Sequence, residues 1–90
     1  MNKPRRKRIA ELQSQLEEVR SRLEEIAEEV ESVKDEEEEY MENIPENMQG
    51  GDKYQMAEEA CGNLEEAKDT LDDLASQLED IISLLEEAAQ

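Results

Sequence analysis

The side chains that could take part in chemistry are almost all carboxylates, together with a single thiol on Cys61. Paired carboxylates can serve as general acid and base, but they need a pocket that shifts their pKa values and a reacting group nearby. The chain has 27 acidic residues and no histidine. Its acidic pairs, such as Glu58-Glu59 and Glu65-Glu66, recur at positions predicted to face water. We therefore predict no catalytic residue and no enzymatic activity.

The carboxylates do not follow the spacing of a known metal site. A calcium-binding hand places its ligands along a twelve-residue loop, and a bundle-core di-iron site uses Glu-x-x-His motifs. The only glycine-containing loop, around Gly50-Gly51, has too few carboxylates. Cys61 is typical of a small core or interface residue rather than a nucleophile. These patterns predict neither a metal site nor a cofactor.

The charge of the chain limits its partners. Ten basic residues against 27 acidic ones give a net charge of −17, which disfavours direct binding to nucleic acid or to an anionic membrane. No apolar run approaches the roughly 18 residues of a membrane span. A lone cysteine fits a reducing compartment, and no apolar stretch follows the basic segment 1–8 as it would in a secretory signal. We predict a soluble, cytoplasmic protein without membrane contact.

Two long segments carry apolar residues at a strict seven-residue spacing, which predicts a left-handed coiled coil. In the first segment, position a is Ile9, Leu16, Leu23, Val30, Glu37 and Ile44, and position d is Leu12, Val19, Ile26, Val33 and Tyr40. In the second, position a is Ala57, Leu64, Leu71, Leu78 and Leu85, and position d is Ala60, Ala67, Leu74, Ile81 and Ala88. The sequence predicts one domain, 1–90, with a helix over about 4–43, a loop over about 44–52 and a helix over about 53–88.

The two registers fit each other when the chain folds back on itself. In an antiparallel coiled coil, each a residue shares a layer with a d residue of the other helix, and here ten such pairs have residue numbers that sum to 97. Tyr40 then faces Ala57, and the misfit Glu37 faces Ala60. Asp52, with Gln55 three residues later, resembles a capping box that would start the second helix. The predicted fold class is all-α, an antiparallel helical hairpin.

The second helix is apolar over a wider stripe than a two-helix seam needs. The extra residues lie at positions e and g. They are Met56, Cys61, Ala75, Ile82, Leu84 and Ala89. We expect this stripe to pack on a second copy, so that two hairpins form a homodimeric four-helix bundle. The alternative use of the stripe is docking on a different protein.

The stretch from Glu36 to Tyr54 reads EEEEYMENIPENMQGGDKY. It resembles a signature in small, uncharacterised acidic proteins of Gram-positive gut bacteria and their phages or mobile elements. The specific residues are Tyr40, Asn43, Pro45, Glu46, Asn47, Gln49 and Tyr54. The resemblance implies no activity and no functional residue. A specific contact site outside the bundle is expected first at Tyr40, Asn43, Pro45, Asn47, Gln49 and Tyr54, with a structural plug as the alternative role.

The sequence leaves two functions open. The first is a non-enzymatic coiled-coil protein that acts through self-association and protein–protein contacts. The second is a DNA mimic, encoded by a phage or mobile element, whose acidic surface inhibits a basic, nucleic-acid-binding host-defence protein. Two acidic residues per heptad at positions b and c of each helix give the hairpin about one charge per 2.6 Å, compared with about one per 1.7 Å in duplex DNA. A weaker third idea is that the basic segment 1–8 touches nucleic acid or an acidic partner.

Overall fold

A computed structural model describes all residues, 1–90, as two long helices joined by a short loop. Helix α1 spans Lys3–Glu42, a single 3-10 turn spans Glu46–Met48, and helix α2 spans Asp52–Ala88. No strand is present, and the Cα atoms extend over 70 × 14 × 13 Å. The predicted all-α helical hairpin is confirmed, and the helix bounds lie within one residue of those expected.

Local signals in the sequence explain the ends of α1. The Asn2 side-chain Oδ1 accepts a hydrogen bond from the Arg5 backbone N–H at 2.9 Å, which satisfies one of the free donors of the first turn. Pro4 lies in that turn, where a missing N–H costs nothing. The helix ends at Glu42 with Asn43 as its C-cap, because the proline at 45 disfavours helical conformation at Ile44.

The loop is held by its own hydrogen bonds. The Met48 N–H donates to the Pro45 carbonyl at 2.8 Å, and the Gln49 side chain donates to the Ile44 carbonyl at 3.3 Å. Gly51 is the N-cap of α2, and no side chain caps this end. The capping box expected from Asp52 and Gln55 was therefore wrong. Asp52 lies in the first turn instead, where a carboxylate is stabilised by the helix dipole.

The seam between the helices runs along positions a and e. Five residues are buried, and four of them are at e; the five are Ala27, Ala57, Cys61, Ala75 and Ile82. Most d residues are instead 43–49% exposed; these are Leu12, Val19, Val33, Tyr40, Leu74 and Ile81. The predicted a–d seam was wrong for these positions. Three of the four buried e residues are small, namely Ala27, Cys61 and Ala75. With position e in the seam, both d rows lie outside it.

The axial alignment of the helices agrees with the sequence. Links between the helices join Gln13 to Ile82 by a hydrogen bond, and Arg20 to Glu79 and Glu31 to Lys68 by ion pairs. The residue numbers of these three pairs sum to 95, 99 and 99, which brackets the predicted 97. Compared with the arrangement predicted from the sequence, each helix is rotated about its own axis but hardly shifted along it.

Neither helix has an apolar stretch of the length and hydropathy that crossing a membrane requires.

Candidate protein-interaction surfaces

The exposed d residues form one continuous surface, which we call the open face: the d rows of α1 and α2, with Met56 and Leu84 at position g. Heptad positions run in opposite senses around antiparallel helices, so both d rows lie on the same side of the hairpin. A shared groove confirms this placement, because Tyr40 from α1 lines it together with Met56 and Ala60 from α2. Met56 is 69% exposed and Leu84 is 64% exposed.

The structure changes which residues can meet a partner. Cys61, Ala75 and Ile82 were expected in the oligomer interface, but only 7–8% of each is exposed within a single hairpin. They lie in the seam because position e faces α1, so they are corrected from interface to core. Ala89 is also at e and is half-buried. Met56 and Leu84 remain available on the open face.

Sequence reasoning missed Leu12, Val19, Leu74 and Ile81 as surface residues by assigning them to the seam. The signal that could have found them is the small size of the e residues Ala27, Cys61 and Ala75. Small residues there indicate that position e, next to a, lies between the backbones. The larger d residues then lie outside the seam and are exposed.

The opposite side of the hairpin is polar and closed by ion pairs between positions b and e. Arg20 lies 4.0 Å from Glu79, and Lys68 lies 3.9 Å from Glu31 and 2.9 Å from Asp72. A hydrogen bond with Asp72, followed by the charges of Asp72 and Glu31, raises the pKa of Lys68. The hairpin therefore has one apolar side and one charged side.

A single hairpin leaves an unusually large surface in water. Its solvent-accessible surface is 6912 Å², whereas a folded monomer of 10.4 kDa is expected to expose about 5,400 Å². The excess is about 1,500 Å², part of which reflects the elongated shape. None of the large side chains is fully buried. The hairpin alone thus buries only the thin seam between its two helices.

The loop end carries a second concave surface, a groove of about 390 Å³. Of the residues expected in a loop contact site, it brings together Tyr40, Asn43 and Pro45. Asn47 is exposed, Gln49 and Tyr54 are half-buried, and none of these three lines the groove. Gln49 holds the loop through its bond to the Ile44 carbonyl, which is a structural role. The contact site stays a prediction for all six residues, of which only Tyr40, Asn43 and Pro45 share the groove.

Cys61 has the surroundings of an unreactive thiol. It is buried in the seam, and burial, followed by the charges of Glu38 and Glu37, raises its pKa. A raised pKa lowers the fraction of the nucleophilic thiolate at neutral pH. No group of three or more cysteine, aspartate or glutamate side chains is arranged to hold a metal ion.

The net charge is confined to one half of the hairpin. A cut across the middle separates residues 24–73, around the loop, from residues 1–23 and 74–90. The loop half has 20 acidic and three basic residues, which gives −17. The terminal half has the remaining seven acidic and seven basic residues and is neutral. The whole net charge of the chain therefore belongs to the loop half.

The basic segment, 1–8, lies at the end away from the loop and carries Lys3, Arg5, Arg6, Lys7 and Arg8. The five ion pairs of the hairpin involve none of these cations. Residues 1–8 are all exposed. Cations at a helix N-terminus are disfavoured by the helix dipole, so this cluster would gain from an acidic neighbour.

Comparison with known proteins yields no family for the hairpin: no protein-family model, no curated protein and no solved structure matches the chain. The open face, the loop groove and the uneven charge are therefore the features from which a function can be inferred.

Proposed function

We propose that this chain is a non-enzymatic, cytoplasmic coiled-coil protein that acts through protein–protein contacts, the first of which is self-association into a homodimer. The observation that carries the proposal is the open face. Apolar side chains of this size rarely remain in water along a whole side of a monomer, and large exposed apolar patches mark interaction sites.

The size of the open face suits a stable interface. The whole hairpin measures 70 Å by 14 Å, so the side that carries the open face has an outline of roughly 1,000 Å², comparable to the roughly 800 Å² that each partner buries in a standard-size interface. The exposed d row of α1 runs from Leu12 to Tyr40, about 42 Å at 1.5 Å per residue. Two such faces in contact form a four-helix bundle, in which the d residues of both hairpins make the central layer.

The test is the mass of the protein in solution over a range of concentrations, with a matched pair of variants. Val19→Gln with Leu74→Gln places two amides on the open face, without changing charge. Ser21→Gln with Ser76→Gln also introduces two glutamine side chains, but at exposed positions that face away from the open face. We expect a dimer for the unmodified chain and the serine variant and a shift towards monomer for the first variant. A monomeric unmodified chain at micromolar concentration refutes self-association.

A second candidate function, mimicry of DNA, is favoured by the confinement of the charge. The loop half carries −17 along about half of the 70 Å length of the hairpin, or about one net charge per 2.1 Å. This density is close to that of duplex DNA, about one per 1.7 Å. The resemblance to proteins of phages and mobile elements agrees with such a role. The mimic would inhibit a basic DNA-binding protein.

Mimicry makes a separate prediction about salt and competition. The immobilised hairpin should retain basic DNA-binding proteins at low salt and release them at high salt, and added duplex DNA should displace them. A control hairpin in which four loop-half glutamates are replaced by glutamine should retain less. Retention that competitor DNA does not reverse would count against mimicry and leave the self-association proposal untouched.

A further inference from the structure

The uneven charge and the open face together indicate how two copies meet. We infer that the dimer is antiparallel, with the loop half of each hairpin lying against the terminal half of the other. This inference rests on the proposed self-association and adds its orientation. Two hairpins with their open faces together can be related by a two-fold axis along the bundle, with both loops at one end, or by an axis across it, with the loops at opposite ends.

Electrostatics separates the two arrangements. In the parallel dimer, the two loop halves, each with −17, would lie side by side at a helix spacing of about 10 Å. This distance is close to the Debye length of about 8 Å at physiological ionic strength, so the repulsion is only partly screened. In the antiparallel dimer, each loop half meets a neutral half. The two loop halves are then about half a molecule apart, beyond the range of the screened interaction.

The basic segment favours the same arrangement. An axis across the bundle places α1 on α1 of the partner, running in the opposite direction. Since the hairpin reaches from residue 1 at one end to about residue 48 at the other, full overlap sets Arg5–Arg8 level with residues 41–44 of the partner subunit. Glu42 of the partner subunit lies within this range, and Glu39 and Glu46 of the partner subunit lie within one helical turn of it. The cations without ion pairs in their own hairpin thereby gain carboxylate neighbours. The same happens at the other end of the dimer by symmetry.

The apolar rows also suit this axis. The d row of α1 is centred on Ile26, so the axis pairs Val19 with Val33 of the partner subunit and Leu12 with Tyr40 of the partner subunit. The d row of α2 is centred on Leu74, which lies level with residue 23 of α1 in the observed alignment. The two centres differ by three residues, about 4.5 Å and less than one helical turn. One axis can therefore serve both rows.

Energy transfer between fluorescent labels on the full-length chain tests the orientation. The labels are placed on single cysteines in a Cys61→Ala background, and donor- and acceptor-labelled chains are mixed. Met48→Cys marks the loop end, Gln90→Cys marks the other end, and Ser21→Cys marks the middle. All three positions are exposed. Circular dichroism checks that each labelled chain keeps its helicity.

The antiparallel dimer predicts strong transfer from Met48→Cys to Gln90→Cys, and several-fold weaker transfer between two Met48→Cys labels, which lie nearly the 70 Å length apart. The opposite pattern means a parallel dimer, which overturns the inference but leaves self-association intact. Transfer between two Ser21→Cys labels is expected in either orientation. If this pair shows none and sedimentation gives a monomer, the proposed self-association itself has failed.

Discussion

Two neighbouring isoleucines give the sharpest test of the two-sided hairpin. Ile82 lies in the seam and is 7% exposed, whereas Ile81 lies on the open face and is 43% exposed. The substitutions Ile81→Ala and Ile82→Ala remove the same atoms from adjacent positions of one helix. Any difference between them therefore reports the side of the helix rather than the chemistry of the change.

The magnitudes follow from the exposed fractions. Replacing isoleucine by alanine removes three carbons, worth about 2.4 kcal/mol when fully buried. At Ile81, the exposed 43% corresponds to about 1 kcal/mol that only a partner can supply. An interface with a two-fold axis contains this side chain twice, so we expect a loss of about 2 kcal/mol and a roughly 30-fold rise in the dimer Kd. Ile82→Ala should instead lower the free energy of unfolding of the hairpin by about 2–4 kcal/mol.

Sedimentation velocity over a dilution series measures the Kd, and urea unfolding followed by circular dichroism measures the stability. Both variants are compared under conditions in which the chains remain fully helical. The reasoning is refuted if Ile81→Ala leaves the Kd unchanged, or if Ile82→Ala raises the Kd more than Ile81→Ala does. Either result would mean that the open face is not the surface that associates.

Four further outcomes follow from the structure. Gly62→Ala should stabilise the hairpin by about 0.5–1 kcal/mol in urea unfolding, because a Cβ at this helical position meets no neighbour; a loss of stability would contradict this placement. Asn2→Ala should cost about 1 kcal/mol of local stability, seen as faster amide exchange in the first turn of α1 but not in the loop. Reversing the charges of Arg5–Arg8 to glutamate should weaken the dimer most at low salt, and a salt-independent effect would argue against an electrostatic cause. Burial raises the pKa of Cys61 from its ordinary value of 9.0, so the unfolded chain loses the thiol proton first as pH rises. The contribution of Cys61 to the free energy of unfolding should therefore be constant below about pH 9 and decrease above it. In Cys61→Ala, this part of the decrease in the urea midpoint should be absent.

Most of the fold could be predicted because the heptad pattern is unbroken over nearly the whole chain. Periodicity determines that helices form, Pro45 marks the end of α1, Gly50-Gly51 mark the start of α2, and matching registers determine how the helices align. The alignment along the axis is robust because a shift by one residue would disrupt every layer at once.

The rotation of the helices was harder to predict. Positions d and e both neighbour position a, so an apolar residue at either can enter the seam. At Ile81 and Ile82, hydrophobicity is identical and only geometry distinguishes the two. The choice depends on which set of side chains fits between the two helices, here Ala27, Cys61 and Ala75 together. A pattern that scores each residue separately does not contain that cooperative information.

The loop that joins the helices also gives the hairpin an order of folding. Contacts near the loop join residues close in the chain, while the Gln13–Ile82 hydrogen bond spans 69 positions. Closing short loops costs less entropy than closing long ones. Contacts between the helices should therefore form first near the loop and last at the termini, and the termini should fray first. In the antiparallel dimer that we infer, the end that each hairpin closes last would lie on the end that its partner closes first. Each copy would then support the last step in the folding of the other.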